Sequence, residues 1–328
     1  MQSAAQPIDE DLTVPSPWRS DRIKQIWSVG GGKGGVGKSL LASNFAISLS
    51  RLGNKVIAID LDLGGANLHT ALGVDLPRVS LSDYISRRKS TLSACQSLTE
   101  IPNIEIISGA QDSVDIANLP EEDKKRLMHG IFELDADYLI FDLGAGSNFN
   151  TLDFFNYSDL GLIALLPEPT SIENAYRFIK SAYYRRLRLS PGLSEIYHLI
   201  DAAMDSHHLR GIKSPSDLFR EAQKQSPELG MRLKIEVEKF QPKVIVNQAR
   251  TQADIEIGHS VRTVCRRYFG IEMDYAGCLD YDPAAWQAVR RKRPLMLEFP
   301  NSKLVSSIEQ VTQNLIKLHG QVRSSLIP

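Results

Sequence analysis

Seven short apolar runs alternate along the chain with stretches in which apolar residues recur at helical spacing. The runs cover residues 25–31, 55–62, 104–109, 138–144, 161–168, 242–248 and 274–280. Apolar residues at successive positions put apolar surface on both faces of a strand, which is typical of parallel strands covered by helices on both sides. The pattern therefore predicts an α/β fold with a doubly wound, mostly parallel sheet.

Two segments depart from this alternation. Residues 1–20 are polar and contain three prolines, which predicts a flexible N-terminal arm. Over residues 185–240 helical patterns follow one another with no strand pattern between them, which predicts a helical insertion between two strands of the sheet. We therefore expect a single domain over residues 21–328 that contains this insertion.

The last helical pattern carries one apolar stripe. Its members are Leu304, Ile308, Val311, Leu315, Leu318 and Val322. The polar face has only Lys303, Lys317 and Arg323 as cations, whereas a helix that binds a membrane surface normally combines an apolar face with several basic residues. We therefore expect this helix to pack on the sheet.

The overall charge excludes a strong general attraction to polyanions. The 328 residues include 38 basic and 39 acidic side chains, for a formal net charge of −1. Binding to DNA or to an anionic membrane would depend on a local patch, and the basic clusters at residues 185–188 and 290–293 are the candidates. Such clusters more often form solvated helix faces, so neither partner is more than weakly indicated.

The cysteines and the apolar runs indicate where the protein works. Cys95, Cys265 and Cys278 are odd in number, far apart and without a CxxC pair, which is typical of a reducing compartment. No apolar run reaches the roughly 18 residues of a membrane-spanning helix, and the first residues lack a basic-then-apolar signal pattern. We expect a cytoplasmic protein.

Residues 32–39, GKGGVGKS, fit the phosphate-loop pattern GxxxxGK[ST] between a strand pattern and a helix pattern. In that setting successive backbone N–H groups curl around a β-phosphate, the later lysine reaches the β- and γ-oxygens, and the last side chain binds Mg²⁺. The prediction is a nucleotide site with Lys38 as the phosphate lysine and Ser39 as a magnesium ligand. Its binding residues are Gly32, Gly34, Gly35, Val36, Gly37, Lys38, Ser39 and Leu40.

The same loop holds an earlier lysine, Lys33, that phosphate binding does not require. A residue so early in the loop would point away from the γ-phosphate of its own nucleotide, and it could reach the nucleotide of another subunit. The pattern xKGGxxK[ST] at residues 32–39 resembles the MinD/ParA family of ATPases with a deviant phosphate loop. In that family the early lysine crosses a face-to-face dimer and contacts the partner's phosphates. The resemblance implies a P-loop fold of the SIMIBI type, ATP and Mg²⁺ as cofactors, a homodimer in the ATP state and a catalytic role for Lys33.

Two acidic strand ends complete the predicted phosphate site. Asp60 and Asp62 lie on one face of an extended segment, where a carboxylate beside the loop can orient water for in-line attack on the γ-phosphate. The alternative for Asp62 is a cap on the next helix. Asp142 ends a buried run and is the predicted acidic partner of Mg²⁺. These segments resemble the two switches of the family, DxDxxxxN and DxxxG, which implies that Asp62 positions the water and that the N–H of Gly146 contacts the γ-phosphate.

Two later segments are candidates for contacts with the base. Asn247 comes at the end of an apolar run, and its amide can both donate to and accept from an adenine edge. The loop GCLDYDPAAWQAV, which contains Asp282, resembles the second base-side loop of the family. We expect Asn247 and Asp282 to lie near the base.

Within the family, residues 165–187 are most similar to the FlhG branch, also called FleN, whose members limit flagellar number and placement. The resemblance implies a switch that hydrolyses ATP slowly, is stimulated by a partner, and regulates or positions a cellular structure such as polar machinery, including at the membrane. The helix at about residues 171–188 and the insertion at about residues 185–240 are the expected docking surfaces for an activator or cargo.

Two other classes of protein share this loop and stay open. An iron–sulfur cluster carrier of the Mrp type needs cysteines gathered at a dimer interface. An amidoligase-type enzyme needs a substrate pocket and, in some members, a glutaminase cysteine with a histidine partner. The spacing of the three cysteines indicates neither arrangement, so the sequence favours the switch.

Overall fold

The computed structural model describes residues 24–63, 65–109, 119–204 and 215–324, with side chains as far as residue 318. Within these ranges the strands are β1 (Gln25–Gly30), β2 (Val56–Leu61), β3 (Gln96–Leu98), β4 (Ile104–Ile107), β5 (Tyr138–Leu143), β6 (Leu160–Leu165), β7 (Lys243–Ala249) and β8 (Asp274–Asp280). They form one sheet in the order β3-β4-β2-β5-β1-β6-β7-β8. Only the pair β3 and β4 is antiparallel. The predicted doubly wound, mostly parallel sheet is confirmed.

The edge strand β3 was not predicted. Its three residues, QSL, contain no apolar run, and each is half-buried or exposed. Leu98, its one large apolar side chain, is 81% exposed. A strand of three residues is recognised by its pairing with β4, and nothing in its own sequence predicts a strand.

Helices connect the strands and cover both faces of the sheet. They are α1 (Lys38–Arg51), α2 (Leu68–Ala71), α3 (Leu81–Ile85), α4 (Glu121–Glu133), α5 (Phe149–Tyr157), α6 (Pro169–Leu189), α7 (Tyr197–Met204), α8 (Pro215–Gln225), α9 (Pro227–Glu238), α10 (Gln252–Val264), α11 (Pro283–Arg291), α12 (Leu295–Glu298) and α13 (Lys303–Ser324). The side chains of each strand alternate between two core layers. On β2, for example, Ile57 and Ile59 face the layer built with α3 to α10, while Val56 and Ala58 face the layer built with α1, α2 and α11 to α13.

The C-terminal helix α13 packs on the sheet, as its apolar stripe predicts. Leu304, Ile308, Val311 and Leu315 are each at most 3% exposed and join the core layer of α1. Leu318 is half-buried, and the side chain of Val322 lies outside the described residues. None of the described helices is long and apolar enough to cross a membrane.

The described chain between β6 and β7 is helical, as predicted for the insertion. Helix α6 is followed by a 3₁₀ helix, Pro191–Ile196, and then by α7, α8 and α9. The predicted start of the insertion at residue 185 lies inside α6, because that helix continues without a break to Leu189. The predicted arm at residues 1–20 lies outside the described residues, and the division of the chain into arm and domain stays a prediction.

Candidate active site

The glycine-rich loop joins β1 to α1 at the carboxyl edge of the sheet. Gly35 and Gly37 have φ angles of 78° and 92°, in the left-handed region that only glycine enters without strain. Helix α1 begins directly after Gly37, and the N–H of Leu41 donates to the carbonyl of Gly37 at 2.9 Å. The free amides of the first turn of α1 therefore face the loop, which is the arrangement that binds a phosphate group.

Asn174 and Asn247 pack so closely against the loop that a side chain would not fit at Gly32 or Gly37. A Cβ on Gly32 would overlap the backbone carbonyl of Asn174 in α6. A Cβ on Gly37 would lie 2.5 Å from Nδ2 of Asn247 in β7. The loop is thus shaped by contact with α6 and β7 as well as by its own backbone conformation.

A Gly32→Ala substitution is expected to destabilise the fold by about 1–3 kcal/mol and to weaken ATP binding, because Asn174 presents backbone that cannot rotate away. Urea unfolding and titration with a fluorescent ATP analogue would measure both effects. Gly192→Ala is the matched control, since a Cβ at Gly192 meets no atom within 4 Å and should change stability by no more than about 0.5 kcal/mol. Equal stability of the two variants would show that α6 does not constrain the loop.

Two buried carboxylates lie side by side on neighbouring strands next to the loop. Asp60 on β2 is in register with Asp142 on β5. Asp60 accepts the N–H groups of Asp62 and Leu68, both at 3.0 Å. Burial raises the pKa of Asp60 to about 7, although these backbone hydrogen bonds oppose the shift. Leu68 is the first residue of α2, so Asp60 caps this helix by accepting its N–H. Helix capping was the alternative role considered for Asp62.

Asp142 is the most exceptional polar group of the site. It is 1% exposed, and within the described residues neither carboxylate oxygen makes a hydrogen bond of full geometry, although the hydroxyl of Ser39 lies beside it. Burial, and after it the charge of Asp60, raises the pKa of Asp142 well above the usual range, while the hydroxyl of Ser39 and the charge of Lys38 lower it. Buried oxygens without partners beside a second carboxylate are a strong attraction for a cation.

The residues present fit a magnesium ion held together with a nucleotide. No three His, Cys, Asp or Glu side chains converge as ligands for one ion within the described ranges. Mg²⁺ usually keeps several waters and takes one or two protein oxygens plus substrate phosphates, so such a cluster is not needed. Ser39 beside the unsatisfied oxygens of Asp142 supplies that set.

Lys38 lies in the same buried group of charges. It is 8% exposed, and burial lowers its pKa, while Asp142 and Asp62 oppose that shift. A lysine held among carboxylates at the start of α1 is in place to contact the oxygens of a phosphate chain. The structure therefore brings Lys38, Ser39, Asp62 and Asp142 together as the sequence predicts.

Asp62, the residue directly after β2, faces the glycines of the second switch segment. A Cβ on Gly144 would lie 3.1 Å from Oδ1 of Asp62. Gly146 has a φ of 86°, and its N–H donates to the carbonyl of Gly31 in the phosphate loop at 3.4 Å. The amide predicted to contact a γ-phosphate is thus bonded to the loop itself here, and its phosphate contact stays a prediction.

Lys33 occupies surroundings quite different from those of Lys38. Its side chain is 37% exposed, and Nζ lies 3.1 Å from Oε2 of Glu168 and 3.3 Å from Oγ1 of Thr170. Both partners belong to the start of α6. Sequence reasoning missed this pair. The acidic residue directly before the Pro169 that opens α6 was the one available signal, and it does not identify a partner 135 residues away.

The two residues predicted near the base have structural contacts that the sequence did not predict. Asn247 is buried, its Nδ2 donates to the carbonyl of Val36 at 2.8 Å, and its Oδ1 accepts the N–H of Gln248. Asp282 caps α11 by accepting the N–H of Ala284 at 2.8 Å, and its other oxygen accepts the hydroxyl of Ser302. Asn247 therefore braces the phosphate loop, and base contacts for both residues stay predictions.

The cysteines do not lie together in one site. Cys95 and Cys265 are buried in different parts of the core, and burial raises the pKa of Cys265 to about 12. Cys278 is half-buried on β8. A metal-binding cysteine needs its thiolate form, which burial of this kind disfavours.

Comparisons with known proteins agree with this geometry. The ParA family model, described as NUBPL iron-transfer P-loop NTPase, matches residues 22–177. The antiactivator FleN of Pseudomonas aeruginosa is 25% identical over 293 residues, which cover 89% of this chain and 86% of FleN. The flagellum site-determining protein YlxH of Helicobacter pylori is 33% identical over 183 residues, which cover 55% of this chain and 62% of YlxH.

A solved structure shows the same fold. The septum site-determining protein MinD of Pyrococcus horikoshii, complexed with Mg-ADP, matches with a TM-score of 0.62 at 20% identity. The match covers 90% of this chain and 98% of that one. The likeness in fold therefore extends over most of the chain.

Proposed function

We propose that this chain is a P-loop ATPase of the MinD/ParA type and that it works as a switch: two chains close on ATP, and hydrolysis separates them. The observation that carries the proposal is that the two lysines of the phosphate loop have different surroundings. Lys38 is buried among the carboxylates of its own site, whereas Lys33 lies at the surface against the start of α6. One lysine serves the chain's own nucleotide, and the other is available to a second chain.

Hydrolysis requires a water in line with the γ-phosphate. Asp62 is the carboxylate proposed to orient it, because it directly follows β2 at the carboxyl edge of the sheet and faces Gly144. Lys38 stabilises the charge that spreads over the phosphate oxygens in the transition state. Ser39 and Asp142 would hold Mg²⁺ together with the nucleotide, and the ion would supply further charge neutralisation when bound. Turnover is slow in one chain alone and rises when a partner completes the site.

Dimer closure is expected to change the start of α6. For Lys33 to reach a second nucleotide, its contacts with Glu168 and Thr170 must break. Those residues begin α6, whose backbone at Asn174 also touches the loop. We propose α6 and the helices that follow it, α7 to α9, as the surface through which an activator or cargo senses the nucleotide state.

The target of the switch is proposed from the relatives. FleN is named an antiactivator and YlxH a flagellum site-determining protein. A similar role here would be to regulate or position flagellar or other polar machinery from the cytoplasm, with recruitment to the membrane or pole. An iron–sulfur carrier is the second candidate because the family description names iron transfer. It has less support, because two of the three cysteines are buried and the sequence contains no CxxC pair.

Lys33→Ala tests the dimer directly. With a non-hydrolysable ATP analogue and Mg²⁺, the parent should form dimers in light scattering, while the variant should stay monomeric and still bind the analogue. Lys55→Ala is the matched control, because Lys55 is another half-exposed lysine in a carboxylate pair, 2.9 Å from Asp135, and lies away from the loop. Equal dimerisation of parent and Lys33→Ala would refute the role of Lys33.

A further inference from the structure

Helix α11 presents an unusual face to solvent. Ala284 and Ala288 turn into the core, whereas Trp286 is 63% exposed and Val289, three residues later on the same face, is 52% exposed. Trp side chains are on average highly buried in folded proteins. The outward face of α11 therefore carries apolar surface that no described part of the chain covers.

Cations surround this apolar surface. Residues 290–293, RRKR, are all exposed, and the guanidinium of Arg290 stacks over the ring of Trp286 at 5.2 Å from its centroid. Arg291 is neutralised by Glu298 at 2.5 Å, and Arg293 lies 3.9 Å from Glu100. Arg290 and Lys292 make no ion pair within the described residues. In a chain of formal net charge −1, this is a local concentration of positive charge.

We propose that the α11 surface, which consists of Trp286, Val289 and residues 290–293, docks on an anionic lipid bilayer. Trp286 and Val289 would enter the headgroup layer while the cations contact lipid phosphates. Duplex DNA would use the cations alone and would leave Trp286 and Val289 against a polar backbone. A bilayer offers a partner for both kinds of group, so the combination favours lipid.

This surface is separate from the nucleotide site and from the C-terminal helix. The apolar stripe of α13 is buried in the core, so α13 as described has no apolar face left for a membrane. The inference rests on the membrane recruitment of the proposed function, for which it assigns a surface, and it does not require a dimer. If chains do pair on ATP, two α11 surfaces per particle would strengthen binding through avidity.

Sedimentation of the full chain with vesicles tests the proposal. It should pellet with vesicles that contain phosphatidylglycerol and phosphatidylcholine, remain in solution with phosphatidylcholine alone, and release as salt is raised. Trp286→Ala should weaken binding about tenfold, from the lost apolar burial. Arg290→Gln and Lys292→Gln should each weaken it about fivefold.

Two matched controls lie elsewhere on the surface. Leu52→Ala removes an apolar side chain that is 55% exposed at the end of α1, and Lys125→Gln removes an exposed cation on α4, across the sheet from α11. Both should bind vesicles like the parent. All of these positions are exposed, so thermal unfolding should show that every variant stays folded.

Three outcomes would overturn the proposal. The first is a parent chain that does not sediment with phosphatidylglycerol vesicles in the nucleotide-free, ADP or ATP state. The second is a Trp286→Ala variant that binds vesicles as well as the parent does. The third is binding of a labelled DNA duplex, followed by anisotropy, that Arg290→Gln weakens and Trp286→Ala leaves intact, with no vesicle binding; this would assign the surface to nucleic acid.

Discussion

Replacing Asp62 by alanine is expected to slow ATP hydrolysis by about 10²- to 10⁴-fold while ATP still binds. Asp62 directly follows β2 and faces Gly144, so it lies at the carboxyl edge of the sheet beside the loop. In the proposed mechanism, removing its carboxylate takes away the group that orients the attacking water. The loop, Lys38 and Ser39 remain, and they supply most of the binding.

Single-turnover hydrolysis with protein in excess over ATP would measure this effect without interference from product release. Titration with a fluorescent ATP analogue should show nearly unchanged affinity, and the variant should accumulate as an ATP-bound dimer. Asp75→Ala, at an exposed aspartate just after α2, should hydrolyse ATP at the parent rate. If Asp62→Ala also did so, another group would have to position the water.

The parts of this site that the sequence predicted are those that local patterns determine. The apolar runs identify β2 and β5 because both faces of these strands are buried, and each strand has an aspartate just before its last residue, near the carboxyl edge. The loop glycines, Lys38 and Ser39 follow one another within one turn. Such groups come together in any parallel sheet that places β1 beside β5.

The parts that the sequence missed depend on contacts between distant segments. Glu168 meets Lys33 across 135 residues, and Asn247 reaches Val36 across 211. The residues next to Glu168 and Asn247 in the sequence do not indicate which distant residue each of them contacts. Asn247 illustrates the limit well, because an amide at a strand end suits a base edge and a backbone carbonyl equally, and only the fold shows which one lies within reach.

Asp142→Asn is expected to weaken nucleotide binding and, at the same time, to raise the stability of the protein without nucleotide. Nucleotide binding that depends on Mg²⁺ should be largely lost, because the buried carboxylate beside Ser39 is gone. The protein without nucleotide and Mg²⁺ should nevertheless become more stable at pH 8, by about 1–3 kcal/mol. The gain arises because the folded parent must either bury this charge beside Asp60 or keep a proton that the unfolded chain releases at pH 8, and asparagine requires neither.

The pH dependence of this gain follows from the raised pKa of Asp142. The unfolded chain releases that proton near pH 4, whereas the folded chain keeps it to a much higher pH. Between these two values the folded state binds more protons, so the parent's free energy of unfolding falls as pH rises. Asp60, with a pKa of about 7, adds to the same trend. The stability difference between variant and parent should therefore be small near pH 4 and grow toward pH 8.

Urea unfolding at several pH values without Mg²⁺ would measure the difference, and Asp153→Asn is the matched control. Asp153 is also 1% exposed, but it is paired with Lys124 at 2.6 Å and Arg185 at 2.5 Å. Its replacement leaves two cations without their shared partner and should destabilise the fold by about 3–5 kcal/mol. Opposite signs for the two variants at pH 8 would show that Asp142 is held at a cost in stability for the cation it binds. A loss of stability in Asp142→Asn at pH 8 would instead show that its carboxylate is already satisfied in the folded chain.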